Sequence, residues 1–474
     1  MSAVRKAGRV LRLLVFALAA GALPALADDL ALRVVLLANA DDPDSLRVAQ
    51  HYASARGVPA DNIVALPMSR AETIGWSEFV NTLWEPLQAR LVQRGWIDGV
   101  QMNLADDVGR TKYAISGHRI AYLVVCRGVP LRIAHSPELY APVAPYTENP
   151  IFRTNAGGVD AELSLLAKPI YAINAFVSNP LFNDDRPSPF DLAKVIKVSR
   201  LDGPTPEAAL KLVDRAIEAE RTGLLGRAYV DIGGVHRDGE RWLEAVAGQL
   251  GELGFDVDVD RSRQTFAGTV RFDAPVLYFG WYTGKLGGPF ALPDFQFPPG
   301  AIALHIHSFS AQTLRSATAH WCGPLVARGV TATVGNVFEP YLQLTHRPDL
   351  LLRALARGDN WGDAVAYALP ALSWQTVAIG DPLYRPFARS FEEQWKNRRS
   401  LPLRLGGYAT LRQMRQLEAA GQAEEALALA RTAQRETPTF AVGLALAQRL
   451  QAAGDLRAAA SALGFVPLLE NHRT

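Results

Sequence analysis

The segment 302–312, IALHIHSFSAQ, is an apolar run that ends in two histidines and two serines, His305, His307, Ser308 and Ser310. Serine and histidine together can carry out hydrolysis, because an imidazole that takes the hydroxyl proton makes serine a nucleophile. Two imidazoles on one face of a strand can also share a metal ion, but a third ligand is then needed. Since alternate residues of a strand share a face, His305 and His307 should point together and Ser308 to the other side. The spacing therefore favours histidines hydrogen-bonded at the end of a core strand over a serine–histidine pair or a metal site.

A second group of candidate residues combines carboxylates with a guanidinium. Asp160 and Glu162 stand two residues apart in VDAEL, and Arg200 and Asp202 stand in RLDG. Paired carboxylates can perform acid and base catalysis, as in glycosidases, but they more often form structural ion pairs with arginines such as Arg127 or Arg200. The predicted binding residues are Asp160, Glu162, Arg200, Asp202, His307 and Ser308. The sequence assigns no catalytic residue, metal or cofactor.

These residues follow short β-rich runs that alternate with amphipathic stretches, a pattern typical of an α/β domain. Several runs are apolar throughout, so we expect a three-layer α/β fold with a mostly parallel sheet and helices on both faces. The predicted strands are 32–39, 62–66, 120–126, 194–201, 227–234, 274–280, 301–308, 331–337 and 375–381. The predicted helices are 44–57, 76–93, 205–223, 239–253, 315–328 and 349–369. Ligands gather beyond the carboxyl ends of such strands, so the polar residues that follow them should converge at a common rim.

Residues 1–27 have the pattern of a cleaved secretory signal peptide, with four basic residues, an apolar run and a small-residue end, ALA. Removing the four basic residues lowers the formal charge from +2 to −2, so the mature chain gives no reason to invoke nucleic acid. We expect a periplasmic or secreted protein without a membrane span after cleavage. Cys126 and Cys322 could form a disulfide in that compartment, and two buried free thiols are the alternative.

The rest of the chain divides into three parts. The α/β domain spans 28–388 and contains a loop-rich insertion around 134–190, 389–404 is a charged linker, and 405–474 is an Ala- and Leu-rich helical tail. In the tail, GQAEEALALARTAQRETP and GDLRAAASAL begin 33 residues apart, which is similar to a tetratricopeptide repeat. A plain helical hairpin is the alternative. About three repeats are needed for independent stability, so the tail should pack on the main domain or on a partner.

Six blocks of sequence, in order, resemble an uncharacterised, exosortase-associated family of exported bacterial proteins. The blocks are VLLANADDPDSLRVAQHYASARGVPADNIVAL, YLVVCRGVPLRI, GGVDAELSLL, VSRLDGPT, GNVFEPYL and SWQTVAIGDPLYRPF, within about residues 30–388. The family is distantly similar to caspase-like and gingipain-like cysteine peptidases. The resemblance implies a caspase-like α/β fold and an envelope role, and it implies no activity.

The peptidase relatives carry a His-Gly pair after one strand and a nucleophilic cysteine after the next, so that the thiolate lies beside an imidazole. The corresponding positions fall on YFGWYTG and HIHSFSA, where Trp281 replaces the histidine and Ser308 or Ser310 replaces the cysteine. Tryptophan cannot act as a base, and serine without an adjacent base is a poor nucleophile. The dyad of the relatives is therefore missing.

Three functions remain open on these grounds. The first is an exported envelope protein that binds a peptide or glycan in its cleft and a protein partner through its helical tail, in surface-protein sorting or exopolysaccharide export. The second is a periplasmic hydrolase, peptidase-like or glycan-directed, that uses Ser308 or the carboxylates Asp160, Glu162 and Asp202. The third is a purely structural scaffold. The missing dyad and the repeat-like tail favour the first.

Overall fold

The computed structural model describes residues 30–140 and 149–466, so the predicted signal peptide lies outside the described residues. Ten strands form the large sheet: β1 Val34–Asn39, β2 Ile63–Leu66, β3 Tyr122–Cys126, β4 Lys197–Leu201, β5 Arg227–Asp231, β6 Val257–Asp260, β7 Pro275–Gly280, β8 Ile302–His305, β9 Thr333–Asn336 and β10 Thr376–Ile379. Nine of them match predicted strands. The half-exposed β6 was not predicted.

The large sheet consists of two sections that meet at β8 and β9. One section has the order β9-β10-β4-β3-β1-β2 and the other β6-β5-β7-β8, and a parallel bridge between Ile302 and Ala332 joins them. Every neighbouring pair is parallel except β9 and β10, which are antiparallel. Strands β5 to β9 therefore run opposite to β1 to β4 and β10.

Helices cover both faces of the sheet, as the sequence predicted. Along β1, Val34 and Leu36 pack into one hydrophobic core, while Val35 and Leu37 pack into another on the opposite face. This alternation is the period of a strand buried on both sides, and it explains why β1 is apolar throughout. The fold is thus a three-layer α/β arrangement with a mostly parallel sheet.

The helices agree with the sequence in most places. They are α1 Pro43–Arg56, α2 76–93 with a π-helical section at Phe79–Trp84, α3 Val159–Leu163, α4 Pro189–Leu192, α5 Pro206–Thr222, α6 Arg237–Glu252, α7 Cys322–Ala327, α8 Pro348–Ala356, α9 Trp361–Ala368, α10 Phe391–Lys396, α11 Leu403–Ala419, α12 Ala423–Glu436, α13 Phe440–Ala452 and α14 Leu456–Ala462. The predicted helix 315–328 is wrong over its first half, because the chain there forms bends and His320 has a φ of 60°. Within 30–140 and 149–466, no helix combines the length and the apolar character needed to cross a membrane.

The region 134–190 is largely irregular, as predicted, although 141–148 lie outside the described residues. Short strands occur at Thr73–Ile74, Arg132–Ile133, Gly157–Gly158, Val177–Ser178 and Ala371–Leu372, and 3-10 turns at Ala60–Asn62, Pro137–Leu139, Pro150–Phe152, Gly288–Ala291 and Leu342–Leu344. The strands Ile97–Ala105 and Thr111–His118 form a separate antiparallel hairpin, which the sequence analysis did not predict.

The C-terminal helices α11 to α14 pack together and against the sheet domain. Their core includes Leu225 and Ala274 of the main domain. The hydroxyl of Tyr408 donates to Asp273 Oδ1 at 2.6 Å, and Arg412 Nη2 donates to the carbonyl of Leu253 at 2.7 Å. The tail therefore has buried polar and apolar contacts with the domain that precedes it.

Candidate functional site

The strand directions separate the predicted site residues into two groups. Asp202 follows β4 and His307 follows β8, and these two strands run in opposite directions. The residues after β4 and those after β8 therefore lie at opposite edges of the sheet. The expectation of one common rim was wrong, because it assumed that all strands point the same way.

Arg200 lies at the centre of the first group and is fully buried with Asp160 and Asp202. Its Nε lies 3.0 Å from Asp160 Oδ2, and its Nη1 lies 3.4 Å from Asp202 Oδ2. Arg200 also donates to the carbonyls of Val129 and Pro130 at 2.9 and 2.8 Å. Burial raises the pKa of Asp160, and the charge of Arg200 opposes that rise. With its hydrogen-bonding groups used inside the protein, Arg200 fixes the loop after β3 instead of offering a ligand site.

Glu162 belongs to a different buried network. Its carboxylate accepts hydrogen bonds of 2.6 Å from the hydroxyls of Tyr171 and Ser373. Burial raises the pKa of Glu162, and these two hydroxyls lower it again in part. Because Asp160 bonds to Arg200 and Glu162 does not, the two carboxylates of VDAEL do not act as a pair.

His305, on β8, is a core residue. Its ring stacks on Trp321 with centroids 3.6 Å apart. Nε2 accepts from the backbone N–H of Thr283 at 3.1 Å, so Nδ1 carries the proton and donates to the hydroxyl of Tyr278 at 3.0 Å. Burial, and secondarily the nearby His307, hold the pKa of His305 well below its usual value. The prediction of a hydrogen-bonded core histidine is confirmed at this position.

His307 and Ser308 line an open cleft at the carboxyl ends of β7, β8 and β9. We call it the β8 cleft; it has a volume of about 330 Å³. Its lining residues are His236, Trp281, Tyr282, Ile306, His307, Ser308, Asn336, Glu339, Pro340, Tyr341, Leu342 and Thr345. The sequence analysis placed Ser308 on the face opposite to His307. That placement fails because β8 ends at His305 and the chain turns at Phe309, whose φ is 58°.

Within the β8 cleft, the polar groups are only partly used by the protein. The ring of Tyr282 packs on that of His307 with centroids 4.5 Å apart, and Tyr282 remains 37% exposed. His307 Nδ1 lies beside the Ser308 carbonyl, which can only accept, so Nε2 is the unprotonated nitrogen of the neutral ring. No hydrogen bond joins the Ser308 hydroxyl to another described residue, so the structure holds no base against it.

Glu339 is the only carboxylate among the residues that line the β8 cleft. One of its oxygens accepts from the backbone N–H of Tyr341 at 3.2 Å. Glu339 and Tyr341 come from GNVFEPY, which follows β9, and Tyr282 comes from GWYTG, which follows β7. Neither Glu339 nor Tyr282 was among the predicted binding residues, because only the strand directions bring the two runs together.

Trp281, the residue of YFGWYTG that the resemblance aligns with a histidine, is buried and closely enclosed. Its indole nitrogen donates to the carbonyl of Ile232 at 2.9 Å. A Cβ at Gly234 would lie 1.7 Å from the indole, and one at Gly239 would lie 2.2 Å from it. Gly234 and Gly239 therefore make room for the indole.

The two cysteines are free, buried thiols and form no disulfide. Cys126 lies within β3, and Cys322 begins α7, where its thiol donates weakly to the Val334 carbonyl. Burial raises the pKa of Cys322 to about 12 and raises that of Cys126 further. Neither thiol is a nucleophile at neutral pH.

Across 30–140 and 149–466, no group of three or more His, Cys, Asp or Glu side chains is arranged to hold a metal ion.

Comparisons with known proteins identify no family. No protein-family model matches the chain, and no curated protein matches it. A solved structure described as "Structure of Protease" aligns with 76% of this chain and 79% of its own, at 11% identity and a TM-score of 0.35. A likeness of that size assigns neither an activity nor a residue.

Proposed function

We propose that this is an exported binding protein whose β8 cleft holds a peptide or glycan without cleaving it. The observation that carries the proposal is the cleft itself, where Tyr282, Ser308 and Glu339 offer an aromatic face, a free hydroxyl and a carboxylate in one concave surface. Concave sites with a few convergent polar groups are the usual form of ligand sites in proteins.

The lining favours an uncharged glycan over a charged peptide. Apart from Glu339, the polar groups are hydroxyls, amides and imidazoles, which both donate and accept hydrogen bonds as sugar hydroxyls do. The half-exposed ring of Tyr282, supported from behind by His307, offers a flat surface for the apolar face of a sugar ring. Among the described residues, no lysine or arginine lines the cleft, so they offer no countercharge to an acidic ligand.

Several features argue against hydrolysis. Both thiols are buried, and burial raises their pKa values. Trp281 fills the position where the peptidase relatives carry a histidine, and the Ser308 hydroxyl has no imidazole or carboxylate bonded to it. Binding without a covalent step is therefore the chemistry that these side chains support.

The proposal also includes export, which the signal-peptide pattern of residues 1–27 supports. It further includes recruitment of an envelope partner by the tail, which the repeat-like pattern of 405–474 supports. Because α11 already uses Tyr408 and Arg412 to hold the main domain, a partner would bind the outer helices α12 to α14. Partner capture with a variant that lacks 456–474 tests this idea while keeping those contacts. Unchanged partners would exclude α14 from the recruiting surface and leave only α12 and α13 for that role.

The binding experiment uses the purified chain from residue 28 onwards with a panel of neutral oligosaccharides and capped peptides, followed by titration calorimetry on the best ligand. Tyr282→Ala should weaken binding by about five- to thirtyfold, since an aromatic platform in a pocket contributes on the order of 1–2 kcal/mol. Phe190→Ala, at an aromatic residue that is 70% exposed outside the cleft, is the matched control and should leave affinity unchanged. Equal affinity of Tyr282→Ala and the parent protein would refute the proposed site.

A parallel assay separates binding from hydrolysis. Ligand recovered after long incubation should be intact, and a serine-directed fluorophosphonate should not label the protein. Labelling that disappears in Ser308→Ala, together with cleaved ligand, would establish the hydrolase instead.

A further inference from the structure

The hairpin formed by Ile97–Ala105 and Thr111–His118 leaves one strand uncovered. The return strand meets the segment around Leu192 at its end, where the Leu192 carbonyl lies 3.0 Å from His118 Nε2. Strand Ile97–Ala105 pairs with no other strand of the described residues, and its residues 100–105 are all exposed. It is therefore an open edge strand.

This edge carries a bulge, where its register shifts, but it lacks the charged side chains and proline that protect many edge strands. Proteins guard such edges with charged side chains or proline, because unpaired backbone groups attract a further strand. Here residues 99–105, GVQMNLA, contain neither. Instead, Val100, Met102 and Leu104 are 71%, 40% and 57% exposed.

Within the hairpin, the backbone of this segment is only partly paired. The register shifts between Gln101 and Ala105, so the three residues between them stand opposite Lys112 alone. An apolar, uncharged strand with open backbone groups is complementary to another extended strand of the same character.

The sequence of the edge is complementary to itself in the antiparallel direction. A two-fold axis at Met102 places Val100 opposite Leu104 of a second copy and Gln101 opposite Asn103. Apolar side chains then meet apolar ones, and amides meet amides. The segment ends at Asp98 and Asp106, which would face each other, so the paired length is limited to 99–105.

We propose that two copies of this chain associate through antiparallel pairing of residues 99–105, which joins their hairpins into one four-stranded sheet. Seven residues from each copy bury less than a standard interface of about 1,600 Å². The dimer should accordingly be weak, with a dissociation constant on the order of tens of micromolar. The proposal is independent of the ligand in the β8 cleft.

Sedimentation equilibrium of the purified chain from residue 28 onwards, over about 1 to 200 µM, measures the association. Met102→Lys places two like charges at the axis and should weaken dimerisation at least tenfold. Leu456→Lys, at a 66% exposed leucine of α14, is the matched control and should not change it. A monomer throughout, or a dimer that Met102→Lys leaves intact, would overturn the proposal.

Cross-linking locates the axis. Since Cys126 and Cys322 are buried, Met102→Cys supplies a single accessible thiol per chain. Directly opposed residues of an antiparallel pair have Cα atoms about 4.5 to 5.5 Å apart, within the range a disulfide spans. Oxidation should yield a disulfide-linked dimer with Met102→Cys and not with Leu456→Cys. Failure of Met102→Cys to link in a chain that does dimerise would place the interface elsewhere and refute the pairing.

Discussion

Replacing Arg200 by methionine should destabilise the protein severely, because it leaves Asp160 buried without its counter-ion. Removal of one partner of a buried ion pair costs about 3–5 kcal/mol. The carbonyls of Val129 and Pro130 also lose their donor, which adds to the loss. Asp202 is less affected, because Arg127 and Arg315 lie 3.9 and 3.4 Å from it. We therefore expect the free energy of unfolding to fall by about 4 kcal/mol at pH 7.5.

Guanidinium chloride unfolding, followed by tryptophan fluorescence and circular dichroism, measures this change. The double variant Arg200→Met, Asp160→Leu removes the stranded charge as well and should be more stable than Arg200→Met alone. Arg241→Met is the control, because its bridge to Asp238 joins side chains that are 70% and 48% exposed, and it should change stability by less than about 0.5 kcal/mol.

The result also discriminates between a structural and a binding role for this cluster. If Arg200→Met unfolds within about 1 kcal/mol of the parent protein, or if the double variant is the less stable one, the buried-charge argument fails. A stable Arg200→Met variant that lost ligand affinity would return Asp160, Arg200 and Asp202 to the list of binding residues.

Three further results are expected. Burial raises the pKa of Asp231 from 3.8 to about 7, so this carboxyl should make stability fall as the pH rises between about 4 and 7, by up to about 1.4 kcal/mol per pH unit. Asp231→Asn should remove this contribution and make the slope shallower, although other buried carboxyls such as Asp160 and Glu162 keep theirs. An unchanged slope would contradict the assignment. Within α6, the methyl group of Gly239→Ala would collide with Trp281 and should lower the unfolding midpoint. At Gly248, where an added Cβ would meet no neighbouring part of the protein within 4 Å, alanine should raise stability by about 0.5–1 kcal/mol. Equal effects of the two substitutions would refute the enclosure of the indole. Ellman's reagent should detect no thiol in the native protein and both thiols in about 6 M guanidinium chloride, which unfolds it. Rapid labelling of the native protein would instead show that Cys126 or Cys322 is accessible.

Periodicity and capping residues predicted most of the large sheet and its helices. The helix from Pro43 to Arg56 ends at Gly57, where a φ of 69° favours glycine, and this signal is visible in the sequence. Strand β6, VDVD, was missed because its side chains are half-exposed and two are acidic. Segment 315–321 was predicted as helix, but its backbone is held by a side chain of its own, since the hydroxyl of Ser316 accepts from the backbone N–H of Ala319 at 2.9 Å.

The candidate site was harder to predict than the fold, since its composition depends on strand direction. Nothing local in the sequence of β9 or β10 reveals that they are antiparallel, and this one pairing decides which strand ends share an edge. The polar ends of β4 and β8 look alike as sequence, yet one enters a buried ion-pair cluster and the other an open cleft.

The antiparallel contact between β9 and β10 places the carboxyl ends of the two halves of the sheet at opposite edges. The two halves of the sheet have the same strand order, β2-β1-β3-β4 and β6-β5-β7-β8. In each half, the second strand along the chain lies at the edge and is followed across the sheet by the first, the third and the fourth. In the first half, the carboxyl edge is filled: Arg200 binds Asp160 and Asp202, and Asp381 after β10 accepts from the hydroxyl of Tyr52 at 2.9 Å.

In the second half, Trp281 fills the space beyond β7, but Tyr282, Ser308 and Glu339 remain accessible beside it. A ligand that needs the carboxyl ends of parallel strands therefore finds groups free to bind it in the second half, and substitutions in the first half should act on stability.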